Sequence, residues 1–336
     1  MTEKNIYDLS GGEVFSREIG RVRASLPKSF KIGRALELHR ANMERSLFSQ
    51  LKKKEKGGEL KFVGVPRGVS LLTIKQLNFA LAKLLYNTSY QYGRKDNTGL
   101  ALEGRTTSGM TISPTEVNGK PYYSGEIVVK ISELAAEAFG IDEPTNAQKK
   151  EIDQTLQAMQ HIYVEIPLPD GKVRGEQLLN IPRYLIDDKT KAKMVDIILN
   201  PIYSMNILSG YGVHPQGIMK KLGGNGKRVT EAKLNLLSLL GIQDKRKIFR
   251  IYISDLLEKL GMTEEYKERK KRALAKLTET FQAMIDCGII SVMPTEIVGE
   301  AGEKMFEFRL SKRYIPKSGT SEEADESDII IEEGEN

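Results

Sequence analysis

Residues 267–272 read KERKKR, which places Lys267, Arg269, Lys270, Lys271 and Arg272 in one six-residue window. Clustered cations of this kind suit one chemistry above others. Ammonium and guanidinium groups neutralise phosphates, and a planar guanidinium also pairs in bidentate fashion with the O6 and N7 of guanine. Apolar residues then recur at helical spacing. Advancing about 100° per residue puts Leu274, Leu277, Phe281, Met284 and Ile285 within one arc of about 100°. Arg269, Arg272 and Lys276 fall together on the opposite side, with Glu265 and Ala283. The expectation is one helix over 263–287 with a buried stripe and a basic face. The competing reading is a solvated helix whose charges pair among themselves, as Glu268 and Arg272 would at i, i+4.

Charge along the rest of the chain bears on that choice. The formal net charge is +6, but residues 321–336 carry eight acidic side chains and no lysine or arginine. Taking those eight from 45 acidic residues leaves 37 against 51 basic, a net of +14. So basic a body points to a polyanion. Nucleic acid is favoured over a membrane surface, because no stretch pairs a basic face with a bulky aromatic one and tryptophan is absent. One cysteine, Cys287, excludes an internal disulfide and suits a reducing compartment. His39, His161 and His214 are too far apart for local zinc-ligand spacing. No run of 18 apolar residues occurs, and the first 20 residues lack the apolar core of a signal peptide. The expectation is a soluble, cytoplasmic, non-membrane protein without cofactor or metal.

At 336 residues the chain has room for two domains, and an internal echo supports that division. Ile131-Ser132-Glu133-Leu134 is matched by Ile253-Ser254-Asp255-Leu256, 122 residues later, and the TLQAM ending at Met159 by the TFQAM ending at Met284, 125 later. Similar offsets in the same order indicate a duplicated unit. Each copy reads as a strand, a short helix begun by Ser132 or Ser254 and ended by Gly140 or Gly261, a longer helix (145–160; 263–287) and a hairpin. A helix precedes each copy, 72–88 with Thr73 as N-cap, or 230–240. In the first copy the hairpin would join HIYVEIPL to KMVDIILN across a long excursion. Asn118-Gly119 marks a further hairpin turn. Helix, strand, helix, helix and two-stranded wing is the winged helix-turn-helix order, whose third helix is offered to the major groove. The fold class expected is therefore α+β, two tandem winged helix-turn-helix domains.

Other charged stretches are weaker candidates. In the first unit's third helix Lys149 and Lys150 face Glu151 and Asp153, so its charge nearly cancels and weak DNA contact or protein contact is expected. GGNGKR (223–228) lacks the spacing of a phosphate loop. It reads as a basic linker in which Lys220, Lys221, Lys227 and Arg228 would follow a phosphate backbone. Tyr86, Tyr90 and Tyr92 with Arg94 and Lys95 have the composition of a single-strand stacking surface, though local packing is the commoner outcome. Asp187-Asp188 is the one adjacent aspartate pair outside the acidic tail, and YLIDDKTKAK around it looks like a hairpin turn. Neither it nor the histidines form the clustered metal site that a primase or nuclease needs.

In element order over roughly residues 60–315 the chain resembles the twin winged-helix replication initiators of plasmids and related mobile elements. AKMVDIILNPIYSMNI (192–207) is similar to the strand closing that family's first winged domain, TEAKLNLLSLLG to the helix opening the second, and YKERKKRALAKLTETFQAMIDCG sits at its recognition helix. The resemblance implies a cytoplasmic protein that binds repeated sites in double-stranded origin DNA and recruits host replication proteins. Contacts would come from Arg269, Arg272 and Lys276, flanked by Lys267, Lys270 and Lys271, with Lys227, Arg228, Lys149 and Lys150 in support. It implies a first winged domain for dimerisation or partner contacts (59–207) and a DNA-recognition domain (208–316). Outside the resemblance, the residues themselves read as an N-terminal extension and basic linker (1–58), irregular over 1–32 and helical over 34–54, and as a disordered acidic tail (317–336). A tandem winged-helix transcription regulator, a primase-like enzyme and a non-DNA scaffold remain as alternatives.

Overall fold

The computed structural model describes residues 29–33, 61–63, 69–91, 104–105, 111–112, 115–117, 120–122, 124–167, 172–186, 191–201, 203, 211–224, 227–241, 247–299 and 302–311. The helix expected over 34–54, Asp187-Asp188 and the acidic tail lie outside them. In chain order the elements begin with β1 (Ser29–Gly33), β2 (Lys61–Val63) and α1 (Leu71–Gln91). Four short strands follow, β3 (Gly104–Arg105), β4 (Thr111–Ile112), β5 (Thr115–Val117) and β6 (Lys120–Tyr122). Next come β7 (Gly125–Lys130), α2 (Ile131–Phe139), α3 (Asn146–Met159), β8 (Tyr163–Pro167), β9 (Val173–Gln177), β10 (Leu179–Ile186), β11 (Lys193–Leu199) and β12 (Tyr211–Pro215). The remainder is α4 (Ile218–Gly223), α5 (Glu231–Gly241), β13 (Ile248–Tyr252), α6 (Ile253–Leu260), α7 (Thr263–Glu268), α8 (Lys270–Asp286), β14 (Thr295–Val298) and β15 (Lys304–Arg309). All described strand pairs are antiparallel, so the chain is α+β.

One plan occurs twice. In each unit a helix (α1; α5) precedes a strand (β7; β13) and a short helix (α2; α6), and a hairpin closes the unit (β10–β11; β14–β15). The hairpin's second strand lies in the middle of each sheet, in the orders β10-β11-β7 and β13-β15-β14. Gly140 and Gly261 end α2 and α6 with φ of 67° and 69°, the left-handed conformation that glycine adopts without steric cost. Sequence reading located these caps, and β5 pairs with β6 around Asn118-Gly119 as expected.

Several expectations fail for identifiable reasons. Neither Ser132 nor Ser254 caps its helix; both helices start one residue earlier and have no side-chain cap. At α1 the cap is Ser70, whose Oγ accepts from the Thr73 N–H at 3.4 Å, so Thr73 lies inside the first turn. HIYVEIPL does not join KMVDIILN in a hairpin. Its strand β8 pairs with β9 and β2 in a separate sheet, and the partner of β11 is β10. Within the N-terminal extension, read as irregular up to residue 32, β1 pairs with β12 beyond the first unit.

Helix α1 departs most from its sequence pattern. It reads as amphipathic, yet every residue from Thr73 to Lys83 is buried. Buried polar groups need partners. The Lys75 ammonium bonds to Asn235 on α5, and the Asn235 amide donates to the Lys259 carbonyl at 3.0 Å. Gln76 Nε2 donates to the Val229 carbonyl at 3.1 Å, and Tyr203 donates its hydroxyl to Asn78 Oδ1 at 2.7 Å. Through Lys75 and Gln76 a helix of the first unit is tied to the segment that opens the second. The apolar core is correspondingly continuous among the described residues, from Leu77 and Phe139 to Leu237, Phe281 and Phe308.

The first unit's sheet carries a buried charge problem. Asp196, fully buried on β11, receives Arg183 Nε at 3.1 Å. Burial, with Glu126 beside it, outweighs that partner and pushes the Asp196 carboxyl up to about 7. A folded-state value above the unfolded one means that the bound proton stabilises the fold, fully below about 4 and progressively less as pH rises through 7. Urea titrations should show the midpoint falling from pH 5 to pH 8, and Asp196→Asn should flatten most of that fall. A wild-type midpoint that rises over the interval contradicts this assignment.

Candidate nucleic-acid interface

The expected single basic helix is two helices. Arg269, with φ −140° and ψ 57°, ends α7 and begins α8, so the cationic window straddles a bend. The bend is held by backbone bonds: Arg269 N–H donates to the Glu265 carbonyl at 2.8 Å, and its own carbonyl accepts from Arg272 and Ala273 at 2.9 and 3.1 Å. No side chain caps the start of α8. Its first N–H groups and the positive end of its dipole therefore add to the cationic side chains around them.

Helix α8 is seated by Ala273, Leu277, Thr280, Phe281 and Met284. Phe281 packs edge-on against Phe306 and Phe308, with centroids 5.3 and 5.4 Å away. This stripe is rotated from the predicted one. Leu274 is 40% exposed and Ile285 half-buried, while Ala273 and Thr280 replace them in the interface. Both stripes lie wholly on α8, and the one that is buried is the one that faces Phe306 and Phe308, a tertiary choice that a wheel does not contain.

The basic residues divide into two groups. Glu265 lies between Arg272 Nε at 3.1 Å and Lys276 Nζ at 2.6 Å. The Lys276 ammonium, with Arg272 and Arg269 behind it, holds the Glu265 carboxyl below its usual range. Lys267 pairs with Glu264 at 3.0 Å. By contrast Arg269, Lys270 and Lys271 make no ion pair among the described residues, and all three are exposed. Lys270 sits 5.6 Å from the centre of the Tyr266 ring. Together with Arg272 and Ala275 these three line a shallow, open depression of about 550 Å³. Ala275, Glu265 and Tyr266 were not among the sequence-predicted site residues. Glu265 lies 7 and 11 residues before Arg272 and Lys276, too far to pair on one straight helix, so the pairing depends on the bend.

The remaining candidates lie elsewhere. Lys227 is exposed near α4. Arg228 acts within the fold as a clasp: it forms two 3.0 Å bonds to Glu151 on α3, bonds Thr73 and Gln76 on α1 at 3.3 and 3.1 Å, and stacks 3.9 Å from the centre of Phe139. Burial works against the charged form of Glu151, yet Arg228 keeps its carboxyl below the usual range. Asp153 is likewise taken by Lys193 at 2.6 Å. The acids expected to cancel Lys149 and Lys150 are therefore engaged by other elements. Exposed along α3 are instead Asn146, Lys150, Gln154 and Gln157, spaced to share one face.

His161 is exposed and His214 is buried against Phe79, with centroids 4.9 Å apart. No group of three metal-ligating side chains occurs among the described residues. Burial pushes the Cys287 thiol up to about 11, so it stays protonated at neutral pH. Tyr86 packs against the core, and the rest of the tyrosine cluster lies outside the described side chains. No described helix is long and apolar enough to cross a membrane. No protein-family model matches the chain, and no curated protein matches it.

Arg228→Ala should lower the unfolding free energy by about 2 kcal/mol in denaturant titration. That is less than the loss of a fully buried pair, because the node is partly solvated. A variant as stable as wild type contradicts the clasp.

Proposed function

We propose that this protein binds double-stranded DNA, with α8 entering the major groove as the third helix of a winged unit. The observation that carries the reading is the charge arrangement at the bend, where Arg269, Lys270 and Lys271 have no ion-pair partner among the described residues beside an uncapped helix start. Their neighbours Lys267, Arg272 and Lys276 are held in ion pairs, whereas these three are open to a ligand. A depression open to solvent and lined by cations suits a phosphate backbone better than an enclosed small molecule. Arg272 and Lys276 reach bases or phosphates on exchanging Glu265 for DNA, so Glu265 sets a threshold against indiscriminate binding.

The repeated strand order supports a tandem winged-helix protein divided near residue 208. Asn146 and Gln154 on α3 are amides of the type that reads adenine, which supports a weak DNA contact of the first unit beside any dimer contact. Taken with the resemblance in element order, we assign the protein as an initiator of plasmid or mobile-element replication. It would bind repeated origin sites and recruit host replication proteins, and it would not be an enzyme.

The test is equilibrium binding to duplex DNA from upstream of its own gene and to scrambled duplex, across a range of salt. The triple variant Arg269→Ala, Lys270→Ala, Lys271→Ala should bind both duplexes more weakly and lower the log–log salt slope by up to about 3. Equal binding and equal slopes for variant and wild type refute the interface. Glu265→Gln should strengthen binding to both duplexes and reduce the preference between them; weaker binding contradicts the threshold role.

A further inference from the structure

We infer that the depression at the start of α8 is also the docking site of the chain's own acidic segment, residues 321–336, which competes there with DNA. The inference rests on the nucleic-acid reading for its consequence but not for the contact itself. Charge complementarity is the first argument: the segment carries Glu322, Glu323, Asp325, Glu326, Asp328, Glu332, Glu333 and Glu335 with no cation, and the depression carries three cations without an ion-pair partner among the described residues.

Reach is the second. Ser311 N–H bonds to the Ile289 carbonyl at 3.0 Å, so the described fold ends beside the C-terminal end of α8. That helix has 17 residues, which sets the depression about 25 Å away. Asp328 lies 17 residues beyond Ser311. A random coil of that length averages about 20–25 Å end to end, and a fully extended one spans more than about 50 Å. The segment covers the distance at its ordinary dimensions.

The third argument separates this occupant from DNA. Leu274 is 40% exposed within one turn of Lys270 and Lys271. A phosphate backbone gains little from an exposed leucine, whereas Asp328-Ile329-Ile330-Ile331-Glu332 offers three isoleucines between carboxylates. Cations flanking an apolar spot match carboxylates flanking an apolar run.

Two measurements on the full chain test the inference. Zero-length carbodiimide coupling, mapped by peptide mass spectrometry, should join carboxylates of 321–336 to Lys270 or Lys271, with a yield that does not change on dilution. Absence of these links, or links formed only between isotopically distinct copies, overturns the inference whether or not DNA binds. In parallel, changing the eight carboxylates to amides should tighten duplex binding about 10-fold at low salt, with the gain shrinking as salt rises. Leu274→Ser should reproduce part of that gain. Unchanged affinity in the amide variant, with wild type still binding DNA, overturns the competition while leaving the DNA reading intact. Loss of all DNA binding with the cross-links present removes the DNA reading alone.

Discussion

A helix buried from Thr73 to Lys83 must find partners for its polar side chains within the protein. Helix α1 finds two of them, for Lys75 and Gln76, on the second unit and one, for the Asn78 carbonyl oxygen, on Tyr203, while Asn78 Nδ2 stays without a partner among the described residues. Lys75, Gln76 and Asn78 lie on faces where solvent cannot reach them. Each unmatched polar group there would cost on the order of 1–3 kcal/mol. Their partners, Asn235, the Val229 carbonyl and Tyr203, come from 125 to 160 residues further along the chain. The demand for hydrogen bonds, more than apolar contact alone, therefore fixes how α5 and the segment before it meet the first unit. Arg228 extends the same logic, joining α1, α3 and the inter-unit segment in one polar node over Phe139.

This arrangement also sorts the charges. Acids on the third helices are drawn into structural pairs: Glu151 by Arg228, Asp153 by Lys193, and Glu265 by Lys276 and Arg272. What remains outward on α3 is Lys150 with neutral amides, and at the start of α8 three cations. Net charge alone does not produce this polarity. It depends on where the acids find partners, and the bend at Arg269 lets Glu265 reach back to α8 while Lys270 and Lys271 point elsewhere.

Much of the secondary structure could be read from the sequence. Gly140 and Gly261, the repeated ISEL and ISDL stretches, the Asn118-Gly119 turn and the third helices all carry local signals. The failures concern properties that are not local. No glycine or proline marks the break at Arg269, so a periodic pattern ran through it, and which flank of the apolar arc meets Phe306 and Phe308, leaving Leu274 exposed, is set by tertiary packing. Nothing in HIYVEIPL indicates that its partners are β9 and β2. Arg228 looked like part of a basic linker because its partner Glu151 is 77 residues away. The basic cluster itself was legible as composition, but which of its members stay unpaired was not.

The central claim is that the start of α8 lies in the major groove of DNA. It is tested most directly by replacing Ala275 with cysteine, changing Cys287 to serine, and tethering an iron chelate that cleaves DNA where it lies. The account predicts strand cleavage offset across a major groove within a preferred duplex, lost when Arg269, Lys270 and Lys271 are alanine. Cleavage spread evenly along both preferred and scrambled duplexes, or absent while the protein remains bound, would place the contact elsewhere and contradict it.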